Sequence, residues 1–145
     1  MAEVSRSALL MYSADEMYQL VNDVSAYPAF LPGCIGASIL SIEGDTIHAS
    51  VQVSKAGITQ TFTTKNRLTA AKEIKMDLVD GPFEQLRGAW TFLELDETAC
   101  KVSLDLQFKF SSKIVELAVG RIFNELVGSM VKSFAERAKV VYGER

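Results

Sequence analysis

CKVSLDLQFKF, residues 100–110, followed at once by SSKIVELAVGRIFNELVGSMVKSFAERAKVVY, residues 111–142, decides the fold. In the first segment Cys100, Val102, Leu104, Leu106, Phe108 and Phe110 alternate with Lys101, Ser103, Asp105, Gln107 and Lys109. Strand side chains point alternately to two faces, so this segment is a strand with one buried face and one wet face. In the second segment Val119, Ile122, Phe123, Leu126, Val127, Met130, Val131, Phe134, Ala138 and Val141 fall within about half of a helix circumference. Arg121, Glu125, Lys132 and Lys139 fall on the other side, and no proline interrupts the stretch from Ser112 to Tyr142. At ~1.5 Å per residue such a helix is roughly 45 Å long, longer than one strand.

Upstream of this pair the same alternation recurs. Ile47, Ala49, Val51 and Val53 share one face of a strand, opposite His48, Ser50, Gln52 and Ser54. Ile35–Ile42, Ile58–Leu68, Ile74–Leu78 and Leu86–Phe92 read as further strands. They are separated by turns at Glu43-Gly44-Asp45, Lys55-Ala56-Gly57 and Asp80-Gly81-Pro82-Phe83. Glu3–Met11 reads as a first strand. Ser13-Ala14-Asp15-Glu16 then forms a capping box that opens a helix of about ten residues. The segment Asp23–Cys34, DVSAYPAFLPGC, is stiff and apolar, and Pro28 and Pro32 prevent a regular helix from running through it, with room for a short second helix. Sequential hairpins followed by one long helix predict an α+β architecture of about six or seven antiparallel strands. A curved sheet around so long a helix leaves a cavity between them, whose open end needs a lid.

With 145 residues, the chain is expected to be a single domain over 1–145 that buries a core without staples. The net charge of −3 excludes a general nucleic-acid or DNA binder, though not a local basic face. Cys34 and Cys100 match no metal-binding spacing and read as buried thiols of a reducing compartment. The N-terminal residues lack the apolar run of a signal peptide or a membrane span, so cytoplasmic location without membrane insertion is expected.

For chemistry the sequence offers little. The single histidine, His48, lies on the wet face of its strand, with no spacing that pairs it with a nucleophile or a metal. Asp80 belongs to turn chemistry. Gln60, Thr64 and Asn66 share a strand face with Phe62. They suit orienting a carbonyl or hydroxyl group and are poor proton shuttles at neutral pH. No catalytic residue, metal site or required cofactor is expected, and the chain reads as a non-enzyme.

VNDVSAYPAFLPGC, VSKAGITQTFTTKNRL, LVDGPFEQLRGAWTF and FNELVGSMVKSFAERAKVVYGER together resemble the coenzyme-Q-binding, polyketide-cyclase-like branch of the START superfamily. Within it they are most similar to the bacterial ribosome association toxins, in order and over nearly the whole chain. The wider family often carries a tryptophan before the cysteine of FLP-x-C, where this chain has Gly33. The resemblance implies a helix-grip (START-like, Bet v 1-like) fold and two functions of different classes. One is binding to the large ribosomal subunit so that it does not join the small one. Lys55, Lys65 and Arg67, with Lys75 and Arg87 as further candidates, would contact rRNA phosphates. The other is a ubiquinone- or lipid-binding protein serving cellular respiration. Its apolar site would draw on Tyr27, Phe30, Leu31, Phe62, Met76, Phe83, Trp90, Phe92, Val127, Met130 and Phe134. Tyr27, Phe30 and Leu31 would cap this cavity near Gly81-Pro82-Phe83, or would simply plug the end of the core. Polyketide cyclase activity is a distant third, and no residue identifies an antitoxin partner.

Overall fold

All six apolar positions between residues 100 and 110 are buried, between 0% and 8% exposed, in the computed structural model, which describes residues 2–55 and 57–145. Ala56, in the middle of one expected turn, lies outside the described residues. The chain runs β1 (Ala2–Leu10), α1 (Ala14–Asn22), a 3-10 turn (Val24–Ala29), β2 (Cys34–Glu43), β3 (Thr46–Lys55), β4 (Ile58–Thr69), β5 (Glu73–Asp80), β6 (Phe83–Asp96), β7 (Ala99–Phe110) and α2 (Lys113–Tyr142). The strands form one antiparallel sheet in the order β1-β7-β6-β5-β4-β3-β2, which curves around α2. Among the described residues no helix is long and apolar enough to cross a membrane.

Both helices begin where their capping chemistry sits. Ser13 accepts from the Glu16 amide at 3.0 Å while the Glu16 carboxylate accepts from the Ser13 amide at 3.0 Å, the reciprocal box. Ser112 caps α2 by accepting from the Val115 amide at 3.2 Å. The predicted inward stripe of α2 is buried as far as Ala138, with Met130 half-buried, but Val141 is 48% exposed. Steps of four from Phe134 through Ala138 bring Tyr142 inward instead, and its hydroxyl donates to the Glu16 carbonyl at 2.9 Å.

That bond belongs to a lock between the end of α2 and the start of α1. Arg145 donates to both oxygens of Glu16 at 2.6 and 2.9 Å, and the Tyr12 hydroxyl donates to the Gly143 carbonyl at 2.7 Å. The Arg145 guanidinium, with the Ser13 amide, lowers the Glu16 pKa from 4.5 to about 2. A carboxylate depressed in the folded state adds stability that is present above its unfolded pKa and lost as pH falls through the folded one. Thermal melts between pH 6 and 2 are therefore expected to fall more steeply below about pH 4.5 for the native chain than for Glu16→Gln. Parallel curves would show that the lock carries no pH-dependent stability.

Two aromatic groups fill the space between sheet and helix. Phe123 of α2 sits 4.7 Å from Phe83 and 4.9 Å from Phe108, with Phe110 and Phe62 around them. Further along α2, Phe134 is ringed by Phe30, Trp90 and Tyr27 at 5.2, 5.3 and 5.4 Å. Such edge-to-face contacts each add about 1 kcal/mol beyond area burial. The sheet reaches its curvature through bulges in β2, β5 and β6 and through a close approach of β6 to β7 at Gly88.

Candidate functional site

An apolar cavity remains between the two aromatic groups. Phe62 and Phe123 bound it on one side, Tyr27 and Trp90 on the other. Of the residues expected to line it, Tyr27, Leu31, Phe62, Met76, Trp90, Val127 and Met130 do so. Phe30, Phe83, Phe92 and Phe134 do not. Phe83 stacks on Phe110 at 5.0 Å, and Phe92 meets the edge of Tyr18 beneath α1. Phe134 is consumed by its three aromatic neighbours, and Phe30 turns outward under the Arg137 guanidinium, 5.1 Å away. All four are large and apolar, but each meets another ring before it reaches open space. Val24, Ala49, Val51, Leu104, Leu106 and Leu126, which are not among the lining residues expected from sequence, complete much of the wall.

The Asp23–Cys34 segment closes one side. Its 3-10 turn carries Pro28, and the Tyr27 hydroxyl donates to the Val21 carbonyl. Burial pushes that phenol far above its ordinary pKa, so it stays protonated. Gly33, at φ +77°, makes the left-handed turn that lets its carbonyl accept from the Ser54 amide at 2.8 Å. A tryptophan there would be strained, a local reason for the departure from the wider family pattern. The expected meeting with Gly81-Pro82-Phe83 is not made through the rings: Tyr27 packs on Phe134, while Phe83 joins the Phe110–Phe123 group.

The cavity measures about 70 Å³. Pockets for drug-sized ligands span roughly 300–1,000 Å³. Its polar groups are few: Thr64 and Asn66 face it from β4, whereas Gln60 lies beyond Phe62 and does not line it. The Thr64 hydroxyl donates to Asn66 Oδ1 at 2.8 Å. Cys34 donates weakly to the Gly36 carbonyl, and burial raises its thiol pKa; Cys100, also buried, is pushed up to about 11. Both are free thiols that remain protonated near neutral pH.

The convex face of the sheet is a second, separate surface. Lys65 pairs across the ladder with His48 and Asp77, Arg67 with Lys75, and Asp77 with Arg87. Cross-strand partners share a face, so Lys65, Arg67, Lys75 and Arg87 gather outside, around Asp77, with Asp105 of β7 in the same groove. Glu73 sits 3.9 Å from Lys75 at the margin, and Arg87 donates to Gln107 at 3.3 Å. Four cations against the three carboxylates of Asp77, Glu73 and Asp105 leave this patch weakly positive on an acidic chain. Lys55 does not belong to it. Ile47, Ala49 and Val53 of β3 are buried, and Lys55 continues their parity to the concave side, where it bonds Glu125 of α2. Arg121 joins that carboxylate at 3.5 Å. His48 shares a hydrogen bond with Ser41 at 2.9 Å on the wet face.

A curved antiparallel sheet closed by a long helix over an apolar cavity is the architecture of a START-like domain. The family described as "Polyketide cyclase / dehydrase and lipid transport" matches residues 10–135, and the chain belongs to it. Within that class the chain is similar to the ribosome association toxin RatA of Vibrio cholerae serotype O1, at 60% identity over 99% of this chain and 100% of that one. It is more distantly similar to the mitochondrial coenzyme Q-binding protein COQ10 homolog B of Xenopus laevis, at 26% identity over 99% of this chain and 60% of that protein. Among solved structures, the Zhui aromatase/cyclase from Streptomyces sp. R1128 superposes with a TM-score of 0.82 at 17% identity, covering 99% of each chain. That likeness concerns the fold.

Proposed function

We propose that this chain acts in the cytoplasm as a binding protein that occupies the large ribosomal subunit and keeps the small one from joining it. The observation that carries the reading is full-length similarity to a ribosome association toxin combined with the positive patch of Lys65, Arg67, Lys75 and Arg87. Cations held on a rigid sheet bind phosphates by releasing counterions, with no base sequence to read. Four such contacts give a salt slope of about −3 in log affinity against log salt. A non-catalytic role is supported by the cavity's polar groups: Thr64, Asn66 and a hydrogen-bonded Tyr27 phenol are poor proton shuttles.

The test is a sucrose-gradient profile of ribosomes incubated with the purified protein, each fraction blotted for it. Joined ribosomes are expected to fall, free subunits to rise, and the protein to travel with the large subunit. An unchanged profile with the protein left at the top of the gradient overturns the reading.

One observation favours a second reading, a quinone- or lipid-binding protein serving respiration: the chain also resembles a coenzyme Q-binding protein along almost its whole length. A cavity of about 70 Å³ has no room for a polyprenyl tail unless the 3-10 turn or α2 moves outward. Organic extraction of the protein purified from cells decides this reading. A stoichiometric quinone supports it, and an empty extract removes it.

A further inference from the structure

Two apolar side chains expected inside, Phe30 and Val141, stand instead in one outer cleft, between the end of α1, the 3-10 turn and the last turns of α2. The cleft measures about 430 Å³. Arg137 of α2 lies over the Phe30 ring at 5.1 Å, which holds its planar guanidinium in place. It forms no ion pair among the described residues. Asp23 stands at the N-terminal cap of the 3-10 turn, where an aspartate ordinarily accepts from a backbone amide, yet its side chain makes no capping bond. It too has no ion pair among the described residues, although both it and Arg137 line the cleft. The other polar groups there are mostly committed. Gln19 donates to Asp15 at 3.3 Å, and the Tyr142 hydroxyl donates to the Glu16 carbonyl. One guanidinium and one carboxylate therefore border a common space, too far apart to pair with each other.

The geometry points to a binding site for a small zwitterion, a free amino acid with an apolar side chain. Its carboxylate accepts from the Arg137 guanidinium, and its ammonium donates to the Asp23 carboxylate. Three features set the class. A guanidinium fork matches a carboxylate with two parallel hydrogen bonds. A ligand with a single charge pairs with one wall and leaves the other unpaired, whereas a zwitterion satisfies both. Leu20, Ala26 and Val141 supply an apolar wall for an aliphatic side chain. The volume lies within the roughly 300–1,000 Å³ of small-molecule pockets and leaves room for one amino acid. The 3-10 turn separates this cleft from the apolar cavity: Ala26 and the following Phe30 line the cleft, while Val24, Tyr27 and Leu31 line the cavity. No residue lines both spaces, and the convex patch lies elsewhere. The inference therefore stands or falls without the ribosome reading or any ligand of the interior.

The test titrates the ¹⁵N-labelled full chain with L-leucine and, separately, with isocaproate and isoamylamine, which keep the side chain but carry only one of the two charges. The backbone amides of Ala26, Phe30 and Val141 report the cleft, and the indole N–H of Trp90, the only tryptophan, reports the interior cavity. Leucine is expected to move the cleft signals with a dissociation constant on the order of 1 mM. It is expected to bind about fivefold more tightly than either analogue, the effect of one partly exposed charge pair. Arg137→Gln is expected to erase or reverse the preference over isoamylamine, and Asp23→Asn the preference over isocaproate. A merely structural role for either residue would not produce that crossed pattern. If either analogue binds the native chain as tightly as leucine, the inference is overturned. It is overturned equally if leucine at about 20 mM moves only the Trp90 signal or none. The native-chain comparison decides even where a variant does not fold.

Discussion

Lys65→Glu combined with Arg67→Glu is expected to lower affinity for the large ribosomal subunit by about a hundredfold and to reduce the salt slope by about 2. Both side chains are exposed on the convex face, and neither forms an ion pair among the described residues. Their reversal removes two phosphate contacts and adds two repulsions. Stability should barely change. A glutamate at position 65 would face Asp77 and lose a few tenths of a kcal/mol, while one at position 67 would face Lys75 and gain a similar amount. A melting temperature within about 2 °C of the native one would therefore accompany the loss of binding. Lys55→Glu is the control. It places a carboxylate against Glu125 and loosens one contact between sheet and helix, but leaves the convex patch intact. If Lys55→Glu abolishes subunit binding and the double reversal does not, the contact surface is the rim between β3 and α2, and the patch is solvated decoration.

The two charge groups also show where sequence stopped being informative. Lys65 and Arg67 could be placed outside because Phe62 and Asn66 occupy alternate positions on the same strand. Charge alone puts Lys55 with them. The parity of Ile47, Ala49 and Val53 places it inward, and only the end of β3 next to α2 gives it a carboxylate to meet. The elements themselves were legible throughout, because strict alternation in β7, the Ser13–Glu16 box and the proline-free stripe of α2 are local signals. The cavity was legible only in kind. Alternation marks aromatics as inward-facing, yet whether a ring meets space or another ring depends on packing across the sheet and helix. Phe83 and Phe134 were lost to neighbouring rings, while the smaller Ala49, Val51 and Leu126 reached the wall. The volume left over is a difference between large filled volumes, and no pattern in the chain encodes it.

Gly88→Ala is expected to cost about 3 kcal/mol or more, a fall of roughly 10 °C in melting temperature for a domain of this size. A Cβ at position 88 would lie 2.2 Å from the Asp105 carbonyl oxygen, 2.7 Å from Leu106 Cδ1 and 2.9 Å from Leu106 Cα. A leucine methyl can rotate aside, but a carbonyl and a Cα of the paired strand cannot. Relief requires β6 to withdraw from β7, and these two interior strands share the longest ladder of the sheet. Gly88 pairs with Leu106 on one side and Met76 on the other, and both line the cavity. Arg87 and Lys75 stand outside the same segment. Flattening here would therefore disturb the cavity and the basic patch together. The same substitution on the exposed face of α2 has the opposite sign. At Gly128 the nearest atom to a Cβ is a flexible Arg6 nitrogen at 4.0 Å, so alanine should stabilise by up to about 1 kcal/mol through helix propensity. Thermal melts of the two variants beside the native chain make the comparison. A Gly88→Ala protein that melts within a degree or two of native would mean that the sheet relaxes around the extra methyl. The close approach of β6 to β7 would then be incidental to the curvature that holds the site.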